Sequence, residues 1–166
     1  LRYPRPPRPH RGGHLSFPMD HLDVTERFQR RIKGTFTELL GMRLLEHREG
    51  YVRGELPVRD GLKQAYGVLH GGALATFADS LVGTGTGRFL APGQTMTTIE
   101  FKVNFMAPVR DGTVRGEARA LHRGRRTMVW EVRLTDGEDR LVALMTTAVM
   151  FLDPQDPPNA PRPPSR

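Results

Sequence analysis

Cysteine is absent from this chain of 166 residues, and long apolar runs are absent as well. Without cysteine there is no disulfide, no thiolate metal site and no cysteine nucleophile. No segment of about 18 consecutive apolar residues occurs, so no helix is expected to span a membrane. The basic N-terminus lacks the apolar segment that secretory signals carry, so we expect a cytoplasmic protein.

The formal net charge of +7 is unevenly distributed along the chain. Residues 1–33 hold eight Lys and Arg against three acidic residues, whereas residues 34–152 hold fifteen against thirteen. No aromatic residue lies inside a basic cluster of 34–152, as a stacking surface for bases would require. The excess therefore indicates a solvated basic arm, and neither a nucleic-acid nor a membrane partner is expected.

Both ends of the chain are rich in proline, which cannot donate a backbone hydrogen bond to a helix or sheet. We expect two segments to be disordered: residues 1–21, a basic Pro- and Arg-rich arm, and residues 153–166, a Pro-rich tail. The folded domain then covers residues 22–152. Because His10, His14 and His21 lie on the arm, no metal site is expected from them.

Hydrophobic periodicity predicts the secondary structure of this domain. Residues 24–41 have apolar side chains at helical spacing, and the glycine at their end is a suitable stop. Alternation on both sides of a Glu-Gly pair predicts a hairpin over 42–58. A second helix is predicted over about 71–87. Four strands follow, within 95–109, 112–124, 126–136 and 140–151. This order indicates an α+β fold with one antiparallel sheet.

The second predicted helix is expected to be packed on both sides. Its apolar face consists of Leu74, Phe77, Ala78, Leu81 and Val82. The other face is small and polar, and it consists of Thr76, Asp79, Ser80, Gly83 and Thr86. Asp79 is the only fully charged residue between Lys63 and Arg88. It is either a structural carboxylate bonded to a nearby hydroxyl or a functional group, and the helix pattern alone favours neither.

The residues that lead into this helix, Leu69 to Gly72, have the features of an oxyanion hole. Amides in the first turn of a helix have no intrahelical acceptor, and the helix dipole favours negative charge there. The glycine pair leaves these amides open to an oxygen that becomes negative during a reaction. Because His70 adjoins the pair and Asp79 lies in the same helix, the combination indicates an active site.

Three stretches, YGVLHGGALATFADS (66–80), VNFMAPVRDG and HRGRRT, together resemble the hotdog-fold acyl-CoA thioesterases. The nearest group is the PaaI-like and 4-hydroxybenzoyl-CoA thioesterase type. The resemblance covers roughly residues 35–152, and its most specific element is His-Gly-Gly with an Asp nine positions after the His. It implies an antiparallel sheet curled around the central helix, assembly as homodimers or homotetramers, and hydrolysis of acyl-CoA without metal or cofactor.

The resemblance also implies roles for single residues. Asp79 matches the family's catalytic carboxylate, which acts as general base on water or as nucleophile. The amide of Gly71 or Gly72 would bind the thioester carbonyl, and His70 would mainly order the loop and the acyl site.

Two further site residues follow from the same resemblance. Many relatives carry Asn six residues before the histidine, where this chain has Gln64. Its longer amide can still donate to a carbonyl or hold the attacking water. Thr98, or its neighbour Thr97, lies where relatives have a hydroxyl that orients the water.

A basic group at a predicted strand turn consists of Arg123, Arg125 and Arg126. It is either an ordinary solvated turn or a clamp for the phosphates of CoA, since guanidinium groups match phosphate oxygens. Trp130, the only tryptophan, is expected in the core.

Two other classes of function stay open. A non-hydrolytic acyl-CoA-binding or sensing protein of the same fold would keep the glycines and arginines but could dispense with Asp79. An interaction protein would use its basic arm on RNA or on an anionic membrane. The sequence does not determine the identity of the acyl group either, because the candidate lining residues suit an aryl or an aliphatic pocket equally. These residues are Tyr66, Phe77, Phe89 and Met96.

Helix geometry predicts that each active site is shared between subunits. Gly71 and Asp79 are eight residues apart, so about 12 Å separates them along one helix. A carbonyl bound at the Gly71 amide must nevertheless be reached by a water held at the carboxylate. Two antiparallel copies, packed along Thr76, Ser80 and Gly83, would bring the two groups together.

Overall fold

The structure is a computed structural model that describes residues 24–154. Its helices are α1 (Val24–Ile32), α2 (Phe36–Leu40) and α3 (Gly71–Thr86), with 3₁₀ turns at Asp60–Leu62 and Gly87–Phe89. Its strands are β1 (Arg43–Arg48), β2 (Tyr51–Pro57), β3 (Thr95–Phe105), β4 (Thr113–Arg123), β5 (Thr127–Thr135) and β6 (Leu141–Leu152). The expected disordered arm, with its three histidines, lies outside the described residues, as does the expected tail from residue 155 onwards.

The six strands form one antiparallel sheet in the order β1-β2-β4-β5-β6-β3, which confirms the α+β prediction. Helix α1 lies along β1, where Thr25 Oγ1 donates to the Leu44 carbonyl at 2.9 Å and Gln29 Nε2 to the Met42 carbonyl at 3.1 Å. Strand β3 is at the opposite edge and pairs with β6 alone among the described strands. Within residues 24–154 no helix is long and apolar enough to cross a membrane.

Helix α3 packs closely on the sheet because two glycines of β2 and β4 leave room for it. A Cβ at Gly54 would lie 2.8 Å from the Arg43 carbonyl oxygen and 2.9 Å from Leu81 Cδ2. A Cβ at Gly116 would lie 2.6 Å from Leu81 Cδ1 and 2.9 Å from the Phe77 ring. The missing side chains therefore set the distance between helix and sheet.

The predicted burial of α3 and of the tryptophan is confirmed. The buried apolar residues of α3 include all those predicted, namely Leu74, Phe77, Ala78, Leu81 and Val82. Trp130 is fully buried, and its ring fills the space at Gly85, where a Cβ would lie 2.5 Å from Cη2.

Two predictions about the helices are wrong. Residues 24–41 form two helices rather than one, because Gly34 takes a left-handed conformation (φ 75°) and Thr35 an extended one. The Gly34 amide donates to the Glu38 carboxylate at 2.6 Å, which stabilises the break. Thr86 is expected on the small polar face of α3 that packs on a partner, but it is fully buried within the chain itself.

Candidate active site

The loop before α3 folds back on itself and holds Gln64 near the start of the helix. The amide of His70 donates to the Leu62 carbonyl at 2.9 Å, and the amide of Gln64 donates to the Val68 carbonyl at 2.9 Å. Gly67 allows the reversal through its left-handed conformation (φ 74°). The loop is also tied to the chain after β3, since the Leu69 amide donates to the Val109 carbonyl at 2.7 Å.

His70 is the N-cap of α3, and its side chain forms a hydrogen bond with one of the two glycine amides but not with the other. Its Nδ1 accepts a hydrogen bond from the Gly72 amide at 2.8 Å. The Gly72 amide is thus already engaged, whereas the Gly71 amide has no acceptor in the described part of the chain. Because Nδ1 accepts, a neutral His70 carries its proton on Nε2, and the residue as a whole is exposed.

Asp79 lies half-buried in the third turn of α3 and is held by a side chain of β3. Thr98 Oγ1 donates to Asp79 Oδ1 at 2.9 Å. Of the two candidate threonines, Thr98 is the one that contacts Asp79, whereas Thr97 is exposed and has only a 3.5 Å contact with the Thr98 carbonyl. A shallow hollow of about 210 Å³ lies on β3 and is lined by Thr98, Ile99, Glu100 and Phe101.

Strand β3 runs antiparallel to α3 and touches it along its length. A Cβ at Gly83 would lie 3.2 Å from Met96, near the start of the strand. A Cβ at Gly71 would lie 3.0 Å from the Phe105 ring, at the end of the strand. The candidate residues thus form two groups: Gln64, His70, Gly71 and Gly72 at one end of the helix, and Asp79 with Thr98 about 12 Å further along it.

The candidate arginines lie at the other end of α3. The Arg123 guanidinium lies over the Phe89 ring, with Cζ 4.6 Å from the centroid. Arg125 and Arg126 are exposed in the turn between β4 and β5, and the Arg126 carbonyl accepts from the Phe151 amide at 2.8 Å. The structure therefore puts this trio beyond the end of the helix, on the side of Asp79 that is away from Gly71.

One candidate lining residue is misassigned, and one site residue is missing from the sequence prediction. Phe77 is fully buried against the sheet, so it lines no open pocket, because it fills the space over Gly116. Phe105, whose ring covers Gly71, lies within the VNFMAPVRDG stretch, but its contact with Gly71 depends on the packing of β3 against α3. Among residues 24–154 no three His, Cys, Asp or Glu side chains are grouped to hold a metal ion.

The sequence matches known thioesterases over most of its folded part. A model of the thioesterase superfamily matches residues 66–143. The 1,4-dihydroxy-2-naphthoyl-CoA hydrolase of Escherichia coli is 31% identical over 121 residues, which are 71% of this chain and 88% of that protein. A putative esterase of Pseudomonas aeruginosa is 33% identical over 128 residues, which are 72% of this chain and 85% of that protein.

Solved structures agree with the sequence matches. A Pseudomonas aeruginosa thioesterase with a glutamine changed to alanine has a TM-score of 0.75 at 25% identity, over 78% of this chain and 94% of that one. A Staphylococcus aureus thioesterase has a TM-score of 0.67 at 26% identity, over 69% of this chain and 95% of that one. Its structures include one with a glutamine changed to alanine and one with a glutamate, fifteen positions later, changed to alanine. The chain thus belongs to the hotdog-fold acyl-CoA thioesterase family and is a thioester hydrolase.

Proposed function

We propose that the protein hydrolyses an acyl-CoA to the free acid and CoA, with Asp79 as general base on water or as nucleophile. The observation that carries this proposal is the carboxylate itself, which is half-buried and accepts a hydrogen bond from the Thr98 hydroxyl. A thioester is an activated acyl group, so a positioned base and an oxyanion donor are sufficient for its hydrolysis. No metal or other cofactor takes part.

The Gly71 amide is the oxyanion donor in this proposal. It has no acceptor within residues 24–154, whereas the Gly72 amide is used by His70. The Nε2 proton of His70 points away from that bond and supplies a second donor. Gln64, on the neighbouring arm of the loop, completes the group that holds the carbonyl and the water.

The spacing of substituted residues in a relative supports the pairing of Gln64 with Asp79. In the Staphylococcus aureus thioesterase a glutamine and a glutamate fifteen positions apart have been changed. Gln64 and Asp79 are also fifteen positions apart, with an aspartate in place of the glutamate. Both carboxylates can accept a proton from water, although the shorter side chain requires the water to approach the helix more closely.

The proposed site is shared between two subunits of a homodimer. Strand β3 has an open edge among the described residues, and three of its apolar side chains are exposed: Ile99 by 53%, Phe101 by 49% and Phe105 by 56%. Such an edge favours pairing with a second strand. An antiparallel pairing of β3 with its copy, centred near its middle, would bring Thr98 and Asp79 of one chain towards Phe105 and Gly71 of the other.

The proposed CoA clamp is the arginine trio Arg123, Arg125 and Arg126 at the end of α3. Guanidinium groups match phosphate oxygens in charge and geometry. The trio lies beyond Asp79 along the helix, so an extended pantetheine arm would connect a clamped nucleotide to a thioester at the carboxylate.

A panel of substrates tests the activity and the acyl group together. The purified protein is given aryl-CoA and straight-chain acyl-CoA thioesters, and the free thiol is measured. We expect release of CoA that depends on the acyl group. Binding of acyl-CoA without release of thiol from any member of the panel would instead favour a non-hydrolytic acyl-CoA-binding or sensing protein.

A further inference from the structure

The arginines of the described chain fall into two groups by their partners. The first group lies 2.7–3.8 Å from carboxylate oxygens and consists of Arg43, Arg48, Arg53, Arg115, Arg119 and Arg140. The second group forms no ion pair with any carboxylate of residues 24–154, and Arg31, Arg88 and Arg123 are three of its members. The positive charge of the second group is therefore not compensated by the described chain.

These three arginines converge on the 3₁₀ turn Gly87–Phe89 that follows α3. Arg88 belongs to the turn itself. Arg31 comes from α1, and its Nη1 would lie 3.8 Å from a Cβ at Gly87. Arg123 comes from the end of β4 and stacks on Phe89 at 4.6 Å. Three segments that are distant in sequence thus bring three guanidinium groups to one turn.

The pKa of His47, in β1, is affected by two of the same arginines. Its Nε2 is buried without a hydrogen-bond partner among the described residues. Burial lowers the pKa of His47 most, and the charges of Arg88 and Arg31 lower it further. Both guanidinium groups therefore act on one imidazole, as expected if they lie close together.

The partial negative charge at the C-terminal end of α3 is too small to explain the presence of three arginines there. The C-terminus of a helix carries a partial charge of about −0.5, and one nearby cation is enough to offset it. Three arginines exceed that need, and an anion bound between them would relieve their mutual repulsion. Phosphate is the anion that guanidinium forks match best.

We propose that Arg31, Arg88 and Arg123 form a phosphate subsite at the C-terminal end of α3 that binds the nucleotide end of the CoA substrate. The inference rests on the proposed function and extends it. Gly87 is eight residues beyond Asp79, about 12 Å along the helix axis, which an extended pantetheine arm spans. CoA has its diphosphate and its 3′-phosphate at separate positions. Arg125 and Arg126 of the clamp bind one of them, and this subsite, which shares Arg123 with the clamp, binds the other.

Calorimetry with adenosine 3′,5′-bisphosphate tests the subsite without any turnover. We compare the wild type, the double variant Arg31→Gln/Arg88→Gln, and the control Arg43→Gln/Arg115→Gln, which removes the same charge from arginines that have carboxylate partners. We expect the first variant to bind at least about tenfold more weakly and the control within about twofold. Equal weakening in both variants, or no binding to the wild type, would overturn the proposal.

Kinetics then connect the subsite to the substrate. In the Arg31→Gln/Arg88→Gln variant, the ratio of KM for acyl-CoA to KM for acyl-pantetheine should rise at least about tenfold over the wild type. The bisphosphate should also compete with acyl-CoA. Binding of the bisphosphate without such competition would overturn the assignment to the substrate. If the arginines bind the bisphosphate but no thioester is hydrolysed, the proposed function fails and the phosphate site stands.

Discussion

Asp79 and Thr98 meet through one hydrogen bond of 2.9 Å, which joins the third turn of α3 to the edge strand of the sheet. A hydroxyl that donates to a carboxylate fixes the direction in which the remaining lone pairs point. In a structural role this bond would tie helix to strand. In the proposed mechanism it also aims the free oxygen of the carboxylate at the attacking water.

Substitution of Thr98 distinguishes orientation of the base from simple packing. Thr98→Val keeps the shape but removes the donor, so we expect kcat to fall about tenfold, the value of one hydrogen bond. Thr98→Ser keeps the donor and should stay within about twofold of the wild type. Steady-state kinetics on the best acyl-CoA of the panel provide the measurement. If the Val and Ser variants are equally active, the hydroxyl does not orient the base.

His47 predicts a pH dependence of stability. Its folded-state pKa is lowered from the ordinary value of 6.5, so the unfolded chain binds a proton more readily. The free energy of unfolding should therefore fall as the pH drops below about 6.5, and continue to fall until the lowered folded-state pKa is reached.

Urea unfolding between pH 7.5 and 5.5 measures this effect. His47→Leu should remove part of the decrease in the midpoint, whereas His122→Leu, at an exposed position, should keep it. An unchanged pH dependence in the His47 variant would mean that its imidazole titrates alike in the folded and unfolded chain.

At the scale of elements, the close contact of α3 with the sheet leads to a prediction about stability. Gly54→Ala would place a Cβ 2.8 Å from a backbone oxygen, which cannot move aside as a side-chain tip can. We expect a loss of about 1–3 kcal/mol in the free energy of unfolding. Gly61→Ala is the matched control, since a Cβ there meets nothing within 4 Å, and it should change stability by less than about 0.5 kcal/mol.

The strands were predictable because their alternation continues for most of their length. The hairpin of β1 and β2, the buried face of α3 and the antiparallel class all follow from periods of 2 and 3.6 residues. The break between α1 and α2 was not predictable in this way. A glycine inside a helical pattern is tolerated, and only the local bonding of Gly34 to Glu38 shows that the helix ends before it.

The details of the site that depend on tertiary contacts could not be predicted from the sequence either. The register of the two threonines is set by the pairing of Thr98 with Val149 and by the bulge that follows it in β3. The loss of Gly72 as a free donor follows from the rotamer of His70, which a motif does not specify. The motif predicts which residues form the site, and the packing of α3 against β3 determines how those residues are arranged.

At the scale of the whole molecule, the proposed shared site predicts complementation between two inactive variants. Asp79→Asn damages one half of each site, and Gly71→Val damages the other by placing a side chain against the Phe105 ring. A fully exchanged equal mixture contains heterodimers that each hold one intact site. The mixture should therefore recover up to about a quarter of wild-type activity.

The variants must be inactive but folded and dimeric for this test, which circular dichroism and size-exclusion chromatography establish. Gln64→Ala replaces Gly71→Val if the valine prevents folding, because it damages the same half-site. Mixtures that exchange subunits, as shown by a tagged chain, but recover no activity would contradict the shared site.

The central claim, that Asp79 performs the chemistry, is tested most directly by the kcat of Asp79→Asn. The variant keeps the size of the side chain and an acceptor for Thr98 but cannot take a proton from water. We predict that kcat falls at least about 100-fold while the affinity for acyl-CoA stays within a few fold. Ser80→Ala, its neighbour in α3, serves as the control and should remain active. Turnover of Asp79→Asn near the wild-type rate would contradict the account and leave Asp79 a structural residue.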